Sequence, residues 1–168
     1  MKNFAGTFAP PFGVINDPAF LSSLERRYWL GGIAEAYKVA IIRDAAFFDE
    51  LEADAVRLSR CDLKAGEAAV HRAALLHLEH IRTSGDPFEY GTARPLDFGH
   101  WSAHRLEVLS GYEMGHGEAV GTGIALDACL AVGIGIMNES DGRRIVHALR
   151  RTGLAVWSDL LTRRDESG

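Results

Sequence analysis

The sequence has few cysteines, no excess of positive charge and no long apolar run. Only two of its 168 residues are cysteine, Cys61 and Cys129, and their spacing suggests neither a disulfide framework nor a thiolate zinc site. The formal net charge of -5 argues against binding to nucleic-acid phosphates or to anionic lipid. Glycine or charged residues interrupt the apolar stretches, so we expect no membrane span and no targeting segment. These absences favour a cytoplasmic protein whose partners are neither nucleic acid nor membrane.

Regular secondary structure is predicted to be helical throughout. No alternating run indicates a strand, and no glycine-rich phosphate loop lies between a strand and a helix. Asp17-Pro18 predicts a helix start, Gly31-Gly32 predicts a break or kink, and Asp44 predicts a helix cap. Further helices are expected over residues 33–43, 64–81, 99–109, 116–132 and 141–151. The chain is long enough for one core, so the sequence predicts a single all-α bundle.

Chemically distinctive side chains are concentrated in three segments, GGIAEAYK, RPLDFGHWSAH and GHGEAVGTGIALD. Glu35 and Lys38 are three apart on one helical face, and a carboxylate in so apolar a helix needs a partner. His100 and His104 also share a face, and His116 lies between two glycines near a helix start. Two or three imidazoles and a carboxylate suit a zinc or cobalt ion with an open position for substrate oxygens. Each residue alone is more often an ordinary core or surface group, so the metal hypothesis depends on the joint pattern.

The order of these segments resembles the C-terminal half of the dehydroquinate synthase family of sugar phosphate cyclases. The resemblance begins with KNFAGTF and DPAFLSSL and extends from Lys2 to about Leu160. Its most specific part is the pair of motifs GHxxxH and HGEAV, with sixteen positions from His100 to His116. It implies that residues 1–168 form one helical metal-binding domain, incomplete at its C-terminus and without the family's N-terminal nucleotide-binding domain.

The resemblance also implies roles for individual residues. The family's metal ligands are the Glu of GxAExxK, the first His of GHxxxH and the His of HGE, which fall on Glu35, His100 and His116. The family's active-site lysine and second GHxxxH histidine fall on Lys38 and His104. The resemblance further implies Glu89 as an acidic partner of that histidine and Lys2 and Asn3 as substrate contacts. Arg94 and Asp97 are further candidate substrate contacts, at positions where this chain departs from the family pattern or offsets that departure.

The reaction implied by the resemblance needs both a metal and NAD. NAD transiently oxidises a ring hydroxyl of a seven-carbon sugar phosphate, phosphate is eliminated, the ketone is reduced and an aldol step closes a carbocycle. We expect Zn2+ or Co2+ at the helical domain and NAD mainly on a domain that this chain lacks. The chain alone is therefore expected to be inactive. Either a separate chain supplies the nucleotide domain, or the sequence is a fragment or a truncated reading frame. The expected protein partners are such a separate chain or a second copy of this chain in a homodimer.

Two departures from the family pattern concern the substrate. Asp97 stands where typical dehydroquinate synthases have the Asn of LNFGH, and His77, Glu79 and His80 stand where the family has a substrate-binding lysine. Both changes disfavour a substrate carboxylate, although Arg94 would offset part of the effect. Two substrates stay open: the keto acid phosphate of the shikimate pathway and an uncharged-headed sugar such as sedoheptulose 7-phosphate.

Two other functions fit part of the pattern. Iron-dependent alcohol dehydrogenases share the helical architecture, but their metal is bound by an Asp and by a His four residues later. Here Val39 follows Glu35 at that spacing. A non-catalytic helical module for binding or assembly is the second alternative, and such a module has no need for the proposed metal ligands to converge.

Overall fold

The computed structural model describes residues 12–83 and 95–163, and all regular secondary structure in those ranges is helical. It has no strand in the part of the chain that it describes, which confirms the predicted all-α class. The α-helices are α1 Arg26–Arg43, α2 Ala45–Ala53, α3 Ala55–Ser59, α4 Leu63–Thr83, α5 His100–Leu109, α6 His116–Gly133 and α7 Glu139–Thr152. Three short 3-10 helices cover Pro18–Ser23, Pro95–Asp97 and Asp159–Thr162. Within these ranges, no helix is both long enough and apolar enough to cross a lipid bilayer.

Helix α1 is the central element of the bundle. It packs against α6 and α4 on different sides and also contacts α2, α3 and α7. Because neighbours surround it, apolar residues occupy most of its circumference: Trp29, Leu30, Ile33, Ala34, Ala36, Tyr37, Val39 and Ala40 are all buried. Polar groups on this helix are therefore placed in largely apolar surroundings.

The prediction that Gly31-Gly32 breaks or kinks the chain was wrong, because α1 runs without interruption through both glycines. Gly31 lies directly against Gly117 of α6, where a Cβ on Gly117 would come 2.0 Å from the Cα of Gly31. Two helices can approach this closely only where side chains are absent. Gly117 therefore has no room for a side chain at the α1–α6 crossing, whereas a Cβ on Gly31 would make ordinary contact at 3.4 Å. Packing of α1 against α6 and α4 offsets the low helix propensity of Gly31.

The helix start predicted at Asp17-Pro18 exists, but it begins a different element. The Asp17 side chain accepts a hydrogen bond from the Ala19 N–H at 2.9 Å, as expected of an N-cap. The element it caps is the 3-10 helix Pro18–Ser23, and α1 begins separately at Arg26. Asp44 caps α2 as predicted, accepting from the Phe47 N–H at 3.1 Å.

Several buried polar side chains of the core form hydrogen bonds with one another or with backbone carbonyls. The Tyr37 hydroxyl lies 3.1 Å from the Leu51 carbonyl and 2.8 Å from the Thr152 hydroxyl, joining α1 to α2 and α7. The buried Trp29 indole donates to the Leu58 carbonyl at 2.8 Å. These bonds pair the buried side-chain polar atoms of Trp29, Tyr37 and Thr152, which helps to fix the orientation of α1 within the bundle.

Candidate metal centre

The first component of the site is a carboxylate on α1. Glu35 lies one helical turn after the Gly31 crossing, on a face directed toward α5 and α6. Its Oε2 atom accepts from the ammonium of Lys38 at 2.7 Å, and the lysine side chain is only 10% exposed. This pair supplies the partner that the apolar surroundings of Glu35 require. The Oε1 atom faces the histidines.

The second component is the beginning of α5. Gly99 precedes the helix with a φ of 75°, a left-handed conformation that glycine adopts without steric cost. Gly123 of α6 lies against it, because a Cβ there would come 1.9 Å from the Gly99 carbonyl oxygen. Asp127 completes the arrangement by accepting from the Gly99 N–H and from the Trp101 indole, each at 2.6 Å. These contacts fix the position of His100, the first residue of the helix.

The His100 ring is held in one tautomer by its backbone contact. Its Nδ1 atom lies 3.1 Å from the Phe98 carbonyl oxygen, which can only accept, so Nδ1 carries the proton. The other ring nitrogen, Nε2, lies 3.3 Å from Oε1 of Glu35. Nε2 is thus the ring atom that faces the carboxylate: it donates a hydrogen bond to Glu35 when the ring is protonated and offers its lone pair when the ring is neutral.

The third component is the first residue of α6. His116 precedes Gly117, so the close α1–α6 crossing brings its ring next to Glu35. Its Nε2 atom lies 3.4 Å from the same Oε1 atom of Glu35 that faces His100. Its Nδ1 atom lies 3.3 Å from Oε1 of Glu107 on α5.

The three components converge on one point. One ligand atom each from Glu35, His100 and His116 lies within 4.8 Å of the other two. The ring centroids of the two histidines are 5.2 Å apart at an angle of 63°, so the rings approach the carboxylate from different directions. Two imidazole nitrogens and one carboxylate oxygen are the donors of catalytic zinc sites, which leave a fourth position open. The residues therefore fit a zinc-like ion.

Glu35, Lys38 and His100 affect one another's charge, as the pKa shifts of Glu35 and His100 indicate. Burial disfavours the ionised form of Glu35, but the hydrogen bond from His100 and the charge of Lys38 outweigh it and lower the pKa of Glu35 to about 2. The hydrogen bond with Glu35 raises the pKa of His100 above its usual value, against the effect of burial. The carboxylate is accordingly ionised at neutral pH, as metal binding requires.

The other residues proposed from the sequence lie in different places. The ring of His104 is 5.6 Å from that of His100 and 5.9 Å from that of His116, and the residue is exposed. Asp97 ends the 3-10 helix that leads into the Gly99 turn, and it is half-buried. The remaining four lie outside the described residues: Lys2, Asn3, Glu89 and Arg94.

Two acidic residues of the site were not proposed from the sequence. Glu107 follows His100 by seven positions and His104 by three, so helical spacing alone places it on their face. Asp127 is an isolated carboxylate within the apolar sequence of α6, which signals a buried partner. Both signals were present in the sequence, but the identity of each partner depends on the tertiary structure.

Comparison with known proteins identifies relatives of the chain. The family described as 3-dehydroquinate synthase C-terminal matches residues 32–166. A 2-epi-5-epi-valiolone synthase of Streptomyces glaucescens is 37% identical over 157 residues, which cover 93% of this chain and 40% of that protein. A 3-dehydroquinate synthase of Wolinella succinogenes is 38% identical over 151 residues, which cover 89% of this chain and 42% of that protein.

A solved structure has the same fold. ValA, a 2-epi-5-epi-valiolone synthase from Streptomyces hygroscopicus subsp. jinggangensis 5008 with NAD+ and Zn2+ bound, matches with a TM-score of 0.77 and 32% identity. The match covers 86% of this chain and 40% of that chain. The chain thus spans about 40% of the length of these relatives.

Proposed function

Because this chain belongs to the family of the 3-dehydroquinate synthase C-terminal domain, we propose that it is the metal-binding, helical half of a sugar phosphate cyclase. The proposal takes residues 1–168 as one such domain, working in the cytoplasm. The observation that carries it is the convergence of Glu35, His100 and His116, whose ligand atoms lie within 4.8 Å of one another.

The proposed metal ligands are Glu35, His100 and His116, and the proposed ion is Zn2+ or Co2+. The ion supplies positive charge that stabilises negative charge developing on substrate oxygens. Zinc is supported by the donor set and by the Zn2+ bound in the related ValA. The protein's own contribution is to hold three donors in place and to leave one side of the cluster open.

Lys38 has two roles in this proposal. Its ammonium donates to Oε2 of Glu35 at 2.7 Å, which orients the carboxylate so that Oε1 faces both imidazoles. Because the lysine side chain is 10% exposed, little water screens its charge. The same charge stabilises an oxyanion that develops on a substrate bound at the open side of the cluster.

His104 is proposed to exchange protons with the substrate. It is exposed beside the cluster, and imidazole is the side chain best suited to proton transfer near neutral pH. The remaining family positions keep their proposed roles: Glu89 as the partner of His104, and Lys2, Asn3, Arg94 and Asp97 as substrate contacts.

The redox part of the reaction belongs to a different domain. NAD supplies the reversible removal of a hydride from the substrate. Residues 12–83 and 95–163 contain no strand and therefore no sheet edge of the kind at which dinucleotides are bound. We assign NAD mainly to a nucleotide-binding domain in a separate chain or in a longer protein of which this chain is part, and we expect the 168-residue chain alone to be inactive.

Asp97 is proposed to influence which seven-carbon phosphate is used. A carboxylate there repels the carboxylate of the shikimate-pathway substrate, whereas an amide can donate a hydrogen bond to it. The relatives include proteins named 3-dehydroquinate synthase and 2-epi-5-epi-valiolone synthase. We expect Asp97→Asn to shift preference toward the carboxylate-bearing substrate.

Metal content tests the site directly. The chain is loaded with Zn2+, dialysed and assayed by mass spectrometry for metal, with circular dichroism as the check on folding. We expect about one ion per chain, lost in His116→Ala and retained in His147→Ala, a matched change at an exposed histidine of α7. Equal zinc in His116→Ala and the parent chain contradicts the proposal and favours a non-catalytic binding module.

Complementation tests the reaction. The chain is mixed with the nucleotide-binding domain of a related cyclase and NAD, and inorganic phosphate is measured with each of the two seven-carbon phosphates. We expect release only in the complete mixture, because the hydride carrier and the metal site must act on the same substrate carbon. Phosphate release by the lone chain without NAD contradicts the cyclase mechanism.

A further inference from the structure

Helix α5 places a carboxylate, that of Glu107, on the side of the His116 ring that faces away from Glu35. His100, His104 and Glu107 follow one another at helical spacing, so all three face α6. The Glu107 side chain is only 12% exposed, so its carboxyl group needs a polar partner. Its Oε1 atom lies 3.3 Å from Nδ1 of His116, on the opposite side of the ring from Glu35.

The two histidines of the cluster are oriented by different acceptors. His100 directs Nδ1 at the Phe98 carbonyl, 3.1 Å away, whereas His116 directs Nδ1 at the Glu107 carboxylate. In both rings Nδ1 faces an oxygen that can accept a hydrogen bond, and Nε2 faces Oε1 of Glu35, where it would offer its lone pair to an ion bound between them.

We propose that Glu107 is a positioning residue: it accepts a hydrogen bond from Nδ1 of His116 and so holds the ring and its tautomer with Nε2 toward the ion. The inference rests on the metal site of the proposed function and adds a residue outside its ligand set. A carboxylate behind a ligating imidazole also increases the electron donation of the ring to the ion. Loss of such an outer partner typically lowers metal affinity about 10- to 100-fold.

A second ion is the competing explanation for Glu107. Ligand atoms of His104, Glu107 and His116 also lie within 4.8 Å of one another. For this group to bind an ion beside the first, His116 would have to lose its Nδ1 proton and bridge two cations. Imidazole gives up that proton only at a high energetic cost near neutral pH, so the geometry favours one ion with Glu107 as a hydrogen-bond acceptor.

The test measures zinc affinity and stoichiometry by competition with a chromophoric chelator in the full chain. We expect Glu107→Ala to weaken zinc binding by about 10- to 100-fold and Glu107→Gln by a smaller factor, because the amide oxygen still accepts. Glu113→Ala and Glu113→Gln are matched controls, since Glu113 is exposed and lies three positions before His116. They should bind zinc as the parent chain does.

A second readout reports on the hydrogen bond itself. In nitrogen-15 NMR spectra of the zinc-loaded parent chain, His116 should show a protonated Nδ1 whose hydrogen exchanges slowly with water. The signal should broaden or disappear in Glu107→Ala and persist in Glu113→Ala. A residue that only stabilises the fold would not change this signal selectively.

The outcomes distinguish the inference from the function on which it rests. If the parent chain binds no zinc, the proposed function fails and the role of Glu107 fails with it. If the parent binds zinc and Glu107→Ala binds it equally well, only the positioning role is wrong. Two zinc ions in the parent and one in Glu107→Ala would make Glu107 a ligand and would also overturn the inference. If Glu107→Ala does not fold, the comparison of Glu107→Gln with Glu113→Gln decides in the same way.

Discussion

Replacing Gly117 with alanine is expected to separate the metal ligands while the helices persist. The new Cβ would lie 2.0 Å from the Cα of Gly31, whereas ordinary contacts of this kind begin at 3.4 Å. Neither backbone can yield locally, so α1 and α6 must move apart by about 1.4 Å at the crossing. Glu35 and His116 lie on either side of this crossing and move with it.

The size of the effect follows from this displacement. Zinc sites tolerate ligand displacements of only about 0.2 Å, so a shift of about 1.4 Å should lower zinc affinity more than about 100-fold. Overpacking of this kind costs about 1–3 kcal/mol, which corresponds to a fall in melting temperature of about 3–10 °C for a chain of this size. Helix content should be preserved, because each helix keeps its own hydrogen bonds.

The same substitution at the other glycine of the crossing, Gly31, provides the control. A Cβ on Gly31 would lie 3.4 Å from the Cα of Gly117, which is ordinary contact. Gly31→Ala should therefore keep zinc binding and gain about 0.5–1 kcal/mol, since glycine in a helix interior is unfavourable. Zinc titration and thermal unfolding of both variants make the comparison. Parent-like zinc affinity in Gly117→Ala would refute the argument that the crossing sets the ligand spacing.

Two further predictions concern the core and the start of α5. Burial raises the pKa of Tyr37 to about 12 from 10.0. The contribution of the neutral Tyr37 hydroxyl to the free energy of unfolding is therefore complete below pH 10 and is lost as the pH rises toward 12, by up to about 3 kcal/mol. In urea unfolding, Tyr37→Phe should lose less stability over that pH range than the parent chain. Asp127→Asn should cost about 1–3 kcal/mol and weaken zinc binding, because an amide cannot accept from both Gly99 and Trp101 with two oxygens. Asp159→Asn is its matched control in the same urea unfolding and zinc titration, and equal losses in the two variants would show that the contacts of Asp127 are unimportant.

Much of the fold could be predicted because its signals are local. The cap at Asp44 and the periodic patterns that follow it locate α2, and those of α4 to α7 place each helix within about two residues of its observed ends. Helix α3 has only five residues, too few for a periodic pattern to be visible. The continuity of α1 through Gly31 was missed because the helices that pack against this part of α1, α4 and α6, are remote in the sequence.

The candidate site also combines features that the sequence predicts with contacts that it does not predict. The three proposed ligands were recognised from motifs whose spacing is visible in the sequence, and the structure brings these side chains together. The contacts of Asp127 with Gly99 and Trp101 join residues that lie more than twenty positions apart. No periodic pattern reports such a pairing, because it depends on how α5 and α6 cross.

The three proposed ligands come from helices that meet only through long-range contacts, since α2, α3 and α4 lie between α1 and the other two along the chain. Helices can form and collapse together without fixed packing, as in a molten globule, and such a state keeps a helical circular dichroism spectrum. It cannot keep an oxygen and two nitrogens at one point to within a few tenths of an ångström. Retained zinc is therefore a measure of native tertiary order in this chain that its helix content does not provide.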